Sequence, residues 1–275
     1  MPVTPTPLPL PNGETTRVLD SGGRGRVLVL VHGLGNSLEI WARVFTRLAR
    51  SFRVIAFDLP GFGAASRPDA AFDGPFFAEQ IVALLDAVGL ECAVLVGNSL
   101  GASAILHASA IAPARIERAV LAAPGGIGRE THPLMRAAAL PFVGGWLVRP
   151  TPANNRRTLQ LALHDRSHLA PELQQTFDAH AARAGSSRAF VRSLRAGVTL
   201  TGSRGSAEVR RLASAFPAPA LIVWGREDRV FPPAYAQEAR QLIPDSQLTM
   251  IGACGHYPQW EQPETFAAAV EAFAS

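Results

Sequence analysis

The chain has 275 residues, 48% of them hydrophobic and 17% charged, which excludes a disordered chain and a coiled coil and leaves enough apolar surface for one large domain without disulfide or metal support. Its net charge of +4 comes from 26 basic residues that are all arginine, scattered with no basic tail or aromatic-interleaved stripe, so a nucleic-acid partner is not expected. No apolar run reaches the roughly 20 residues of a membrane span; the longest, 93–112, is broken by Gly97-Asn98-Ser99 and Gly101.

The first sixteen residues alternate prolines and carry no basic stretch, so they read as an extended arm rather than a signal peptide. Six short runs rich in Val, Ile and Leu then read as buried strands: 26–31, 53–57, 93–97, 118–122, 220–224 and 247–251. Helical spacing lies between most of them, as in Trp41, Val44, Phe45 and Leu48, and in Phe77, Ile81, Leu84 and Val88. A last helix follows Pro263-Glu264, with Phe266, Val270 and Phe273 on one face. Strands too apolar to alternate, separated by helices, predict an α/β fold: a mostly parallel central sheet with helices on both faces.

Nearly a hundred residues between Ala122 and Ala220 hold helical stretches (158–164, 171–184 and 187–198) but no convincing strand. A structureless loop of that length is not expected, so 123–216 is assigned as a helical cap inserted into a core made of 1–122 and 217–275. Charge is uneven across the two parts. Residues 123–215 carry 13 arginines against 5 acids, and the remainder carries 13 against 17. Cys92 and Cys254 form neither a disulfide framework nor a metal cluster, which points to a reducing, cytoplasmic compartment.

Chemistry concentrates at Gly97-Asn98-Ser99-Leu100-Gly101, directly after an apolar strand and before a helix. This G-x-S-x-G arrangement holds a serine on a tight, strained turn above the strand ends. A serine hydroxyl needs a base and an acid to orient that base. Asp228 and His256 each follow a strand downstream, in the order Ser, Asp, His. Glu227 is a rival acid one position early. His164 and His168 stand four apart but lack the Glu of a zinc motif and a third ligand. No metal and no cofactor is expected, and the partner is a small-molecule substrate.

Four motifs together resemble the α/β-hydrolase superfamily over nearly the whole chain: His32-Gly33-Leu34-Gly35, Asp58-Leu59-Pro60-Gly61-Phe62-Gly63, the Ser99 pentapeptide, and Gly255-His256 with Glu261-Gln262-Pro263. The resemblance implies Ser99 as nucleophile, His256 as base then acid, Asp228 as its orienter, and the Leu34 and Leu100 amides as oxyanion hole. It implies a structural His32 bracing the oxyanion loop and an Asp58 fixing its glycine-rich turn. Trp41, Asn98, Phe142, Trp146 and Trp260, with Leu34, are expected to line the substrate pocket under the cap.

Asn98 and the stretch Cys254-Gly255-His256-Tyr257-Pro258-Gln259-Trp260-Glu261 further resemble the meta-cleavage-product hydrolases, which cut a carbon–carbon bond in vinylogous 1,5-diketone acids. Those enzymes hold substrate with a cap arginine shortly after a Glu-Leu pair; after Glu172-Leu173 that position is Phe177 here, leaving Arg183, Arg188, Arg192 or Arg195 as substitutes. On that departure, hydrolysis of a carboxylic ester of a small to medium apolar substrate ranks first. Carbon–carbon hydrolysis ranks second, and a non-catalytic ligand-binding role is a minor third.

Overall fold

The computed structural model describes residues 4–130, 132–140, 144 and 149–275. An eight-stranded sheet runs through the centre. Its strands are β1 (Thr6–Pro9), β2 (Thr15–Asp20), β3 (Val27–Val31), β4 (Arg53–Phe57), β5 (Ala93–Asn98), β6 (Ile116–Ala122), β9 (Ala220–Gly225) and β10 (Ser246–Ile251). The spatial order is β1-β2-β4-β3-β5-β6-β9-β10. From β4 to β10 every pairing is parallel, with Val29 facing both Ile55 and Leu95. The central strands β5 and β9 are buried along their whole length, which is why their sequences read as unbroken apolar runs.

The expected arm departs from the prediction. Residues 6–9 and 15–20 form an antiparallel hairpin that extends the sheet edge beside β4, Val18 opposite Phe57. Prolines are tolerated on β1 because it is the outermost strand and has no outer neighbour to receive its amides.

Helices α1 (Ala42–Leu48), α2 (Gly74–Ala87), α3 (Leu100–Ile111) and the C-terminal α11 (Pro263–Ala274) cover the sheet. Asp73 caps α2, accepting from the Phe76 amide at 3.0 Å, and Pro75 sits in its first turn. Over the carboxyl ends of the strands lie the described cap helices α4 (Pro133–Ala138), α5 (Pro152–Ala162), α6 (Pro171–Ala181) and α7 (Ser186–Gly197), which pack on one another. A two-residue hairpin, β7 (Val198–Thr199) with β8 (Gly202–Ser203), follows them. The next helix, α8 (Ser206–Ser214), packs instead on α3 and on α9 (Tyr235–Leu242) of the core. Among the described residues no helix is long and apolar enough to cross a membrane.

Candidate active site

Ser99 stands at the join of β5 and α3 with φ 56° and ψ −114°, a left-handed conformation that costs a non-glycine residue on the order of 1–3 kcal/mol. The turn is held from outside: the Ser99 amide donates to the Ala122 carbonyl at 2.8 Å, and the Ser99 carbonyl accepts from the Ser103 amide at 3.0 Å. Two glycines make the turn sterically possible. A Cβ on Gly97 would lie 2.6 Å from the Ala102 nitrogen, and one on Gly101 would lie 2.2 Å from the Val31 carbonyl oxygen. Ser99 is only 9% exposed, so its side chain faces an enclosed space rather than open solvent.

Asp228 and His256 meet 2.8 Å apart, Oδ2 to Nδ1, both almost completely buried. The other Asp228 oxygen accepts from the Val230 and Phe231 amides at 2.8 and 3.0 Å, which fixes the carboxylate plane behind the imidazole. Glu227, the rival acid, points elsewhere and accepts from the Cys254 amide at 2.9 Å. The Phe231 ring stands edge-on to His256 with centroids 5.3 Å apart, limiting the imidazole's rotation.

The histidine loop is tied to the cap. The His256 amide donates to the Ala162 carbonyl, at the end of α5, at 2.7 Å. Glu261 bridges the same seam, accepting from the Gly255 amide at 2.9 Å and the His164 amide at 2.6 Å. Burial pushes the Glu261 carboxyl up, against the pull of those backbone donors.

On the opposite side, the loop after β3 brings Gly33 and Leu34 against the nucleophile. A Cβ on Gly33 would come 3.1 Å from the Ser99 Cβ and 3.3 Å from the Asn98 carbonyl oxygen, so a side chain there would crowd the Ser99 turn. His32 braces this loop, its Nε2 accepting from the Leu59 amide at 2.9 Å while Nδ1 lies 2.8 Å from the Gly33 carbonyl. Burial pushes its pKa down, which favours the neutral ring that can accept at one nitrogen and donate at the other. Asp58 fixes the neighbouring turn by accepting from the Leu38 and Ala64 amides and pairing with Arg17, each at 2.8 Å.

Two lobes of one cavity meet at Ser99. The smaller, about 90 Å³, is bounded by His256, Tyr257 and Asn36 on the core and by Met135, Leu161 and Phe190 on the cap. The larger, about 310 Å³, runs from Leu100 and Phe231 along α3 to His107, with Arg204 and Glu208 at its mouth. Leu34 lines both lobes.

Three of the expected lining residues sit elsewhere. Trp41 is fully buried in the core beside Phe266, ring centroids 6.1 Å apart. Trp260 is buried and lines neither lobe: Arg43 stacks on it at 4.1 Å and its Nε1 donates to the His168 carbonyl at 2.9 Å. Asn98 has no exposed surface and lies behind the nucleophile, donating to the His256 carbonyl at 3.0 Å. Phe142 and Trp146 lie outside the described residues.

The lining that the sequence did not single out comes from Met135, Phe190 and Leu194 on the cap and from Asn36 and Tyr257 on the core. Phe190 and Leu194 are four apart on α7, so their shared face was readable, but not what that face covers. Asn36 Nδ2 donates to the Tyr257 hydroxyl at 3.1 Å, and burial pushes that phenol up to about 12, keeping it neutral.

A family model for the alpha/beta hydrolase fold matches residues 26–263. The chain belongs to the alpha/beta hydrolase family. It is similar to the 2-hydroxymuconate semialdehyde hydrolase of Pseudomonas sp. (strain CF600), 32% identical over 265 residues, covering 95% of this chain and 90% of that one. It is similar also to the 2-hydroxy-6-oxononadienedioate/2-hydroxy-6-oxononatrienedioate hydrolase of Paraburkholderia phymatum, 31% identical over 90% of this chain and 86% of the relative. Among solved structures, a meta-cleavage product hydrolase from Pseudomonas fluorescens IP01 superposes with a TM-score of 0.83 at 27% identity, covering 98% of this chain and 97% of that one. A carboxylesterase from Bacillus subtilis shares the fold at a TM-score of 0.82 and 23% identity, covering 99% of this chain and 92% of that one.

Proposed function

We propose that this alpha/beta hydrolase cleaves a carbon–carbon bond in a vinylogous 1,5-diketone acid of the meta-cleavage-product type. The observation that carries this reading is the likeness, over 90% or more of the chain, to hydrolases named for 2-hydroxymuconate semialdehyde and 2-hydroxy-6-oxononadienedioate. That evidence reverses the ranking drawn from the sequence, which put ester hydrolysis first.

In this reading Ser99 Oγ attacks the ketone carbon and His256 accepts its proton. Asp228 holds the imidazole in the tautomer that can accept, and stabilises the cation that results. The Leu34 and Leu100 amides hold the oxyanion. Collapse of the adduct breaks the carbon–carbon bond; the departing electron pair spreads onto the remote carbonyl of the diketone, and His256 returns the proton to the leaving carbon. An acyl group remains on Ser99. His256 then takes a proton from water, hydroxide equivalent adds to the acyl carbon, and Ser99 leaves with the proton restored.

Ester hydrolysis by the same triad stands second, favoured by the chemistry of the lining. The small lobe beside His256 contains no arginine among the described residues. Phe177, which occupies the expected arginine position, lines a separate cavity of about 40 Å³ under the cap. Three of the four substitute arginines are engaged elsewhere: Arg188 donates to the Arg67 carbonyl, Arg192 pairs with Asp69, and Arg195 donates to the Ala139 and Leu140 carbonyls; the fourth, Arg183, does not line the lobe beside His256. A substrate carboxylate would therefore depend on neutral donors such as Asn36 and Tyr257.

Competition between substrate classes tests the two readings. The purified protein is given 2-hydroxy-6-oxo-2,4-heptadienoate and, separately, p-nitrophenyl esters from acetate to decanoate. A kcat/KM at least ten-fold higher on the dienoate supports carbon–carbon hydrolysis. Turnover of esters with none of the dienoate makes ester hydrolysis the function.

A further inference from the structure

The larger lobe carries a feature that triad chemistry does not use. Ser99, Ser103 and His107 are spaced four apart, and all three line this lobe, so they form a polar stripe along one face of α3. The helix is otherwise apolar, with Ala102, Ala104, Ile105, Leu106 and Ala108 buried. At 1.5 Å of rise per residue, His107 stands about 12 Å along the helix axis from Ser99.

His107 is only 9% exposed, yet no group among the described residues hydrogen-bonds its ring. Its ring nitrogens are not among the sealed, unpartnered polar atoms of the described residues, so the ring keeps its small exposure toward the lobe, where a ligand group can take the place of water. Room for it is made at the start of α2: a Cβ on Gly74 would lie 2.2 Å from the His107 Nε2. Asp73 and Glu208 also line this end of the lobe, and Arg204 sits at its exposed mouth. Burial pushes the His107 pKa down, against the pull of Glu208 and Asp73 and with the push of Arg211. A neutral imidazole offers one donor and one acceptor, which matches a hydroxyl or another neutral hydrogen-bonding group. Two nearby carboxylates disfavour an anionic one.

The lobe's occupant follows from the position of the base. His256 lines the small lobe and must reach the departing group to protonate it, so the departing group lies there. The part retained on Ser99 then extends into the larger lobe. We propose that His107 is a specificity-determining residue that hydrogen-bonds a neutral polar group at the far end of the acyl portion, so that the protein selects medium-length acyl groups oxygenated near their terminus. The assignment rests on the acyl-enzyme reading above, and holds for a ketone or an ester substrate alike.

The test pairs p-nitrophenyl octanoate with p-nitrophenyl 8-hydroxyoctanoate in the wild type, His107→Leu and His107→Gln. The wild type is expected to favour the hydroxylated ester by about 5–10-fold in kcat/KM, the worth of one hydrogen bond in a buried site. His107→Leu should bring the ratio to one or below, and His107→Gln, which keeps a donor and an acceptor, should retain most of it. Because each ratio is taken within one variant, a general loss of activity cancels. The same two esters are titrated calorimetrically against Ser99→Ala and against Ser99→Ala/His107→Leu, where binding is read without turnover. Turnover without preference in the wild type overturns the role of His107 and leaves the reaction standing. A binding preference that depends on His107, in a protein that turns over neither ester nor dienoate, supports His107 and overturns the reaction.

Discussion

Asn98 Nδ2 donates to the main-chain carbonyl of His256 at 3.0 Å, so the residue preceding the nucleophile holds the loop that carries the base. The two loops come from strands separated by more than a hundred residues, and this bond fixes their relative height across the sheet edge. Removing it should misplace the imidazole without emptying the pocket. Asn98→Ala is expected to lower kcat by about 10–100-fold with KM changed less than three-fold, a cost of one buried hydrogen bond amplified by misalignment. Steady-state kinetics over a pH series checks it: a merely structural defect would lower the amount of active protein and leave the profile's shape intact.

Asp228 is held by two backbone amides as well as by His256, so its replacement by the isosteric amide should leave the loop in place. In Asp228→Asn the amide oxygen stays with the Val230 and Phe231 N–H groups, so its NH2 faces His256 Nδ1 and donates there, which stabilises the wrong tautomer. A loss of about 10⁴-fold in kcat is expected, with an unchanged thermal unfolding midpoint.

Glu39 joins the core to the cap. Burial alone would raise its carboxyl, but His180 of α6, the Ser37 hydroxyl and the Arg17 guanidinium outweigh that and hold it at about 2, below the usual 4.5. A carboxylate whose folded pKa is depressed contributes stability above pH 4.5 that is lost as the pH falls toward 2. With the side chain 31% exposed, screening leaves roughly 1–2 kcal/mol of that contribution. Chemical denaturation at pH 7 and pH 3 checks it: relative to Glu39→Gln, the wild type should lose somewhat more than half of this amount by pH 3, the rest going as the pH falls through 2.

Gly101 sets the closest approach in the molecule between α3 and the loop after β3. A Cβ there would fall 2.2 Å from the Val31 carbonyl oxygen and 2.7 Å from that of His32, both backbone atoms that cannot move aside. Gly101→Ala is expected to cost more than about 3 kcal/mol and abolish activity, read as a collapsed unfolding midpoint. Gly25→Ala, where an added Cβ meets nothing within 4 Å and which lies far from the lobes in the loop before β3, serves as the control.

The strands, the strained Ser99 turn and the meeting of Asp228 with His256 were legible because each rests on a local rule. Buried parallel strands such as 93–97 and 220–224 are continuous apolar runs, and the nucleophile turn demands glycine at both flanks. The N-terminal hairpin was not, because Thr15–Asp20 carries too few apolar residues to announce itself and its outermost partner carries prolines. Pocket lining was the least legible. Trp41 and Trp260 have the size of lining residues, but only packing shows that one faces Phe266 and the other is covered by Arg43. The arginine-rich cap is similar: an uneven charge count does not show what the side chains meet, and only the structure pairs Arg192 with Asp69 and sets Arg195 on the Ala139 and Leu140 carbonyls.

The account's central claim is that Ser99 is the nucleophile of a hydrolase acting on a dienoate. The direct measurement is the loss of the 2-hydroxy-6-oxo-2,4-heptadienoate chromophore with the wild type and Ser99→Ala side by side, each confirmed folded by circular dichroism. Steady consumption by the wild type is expected, with one acetate formed per turnover, and a loss of about 10⁴-fold or more in the variant. A folded wild type that leaves the dienoate untouched, or a variant that consumes it at the wild-type rate, would contradict it.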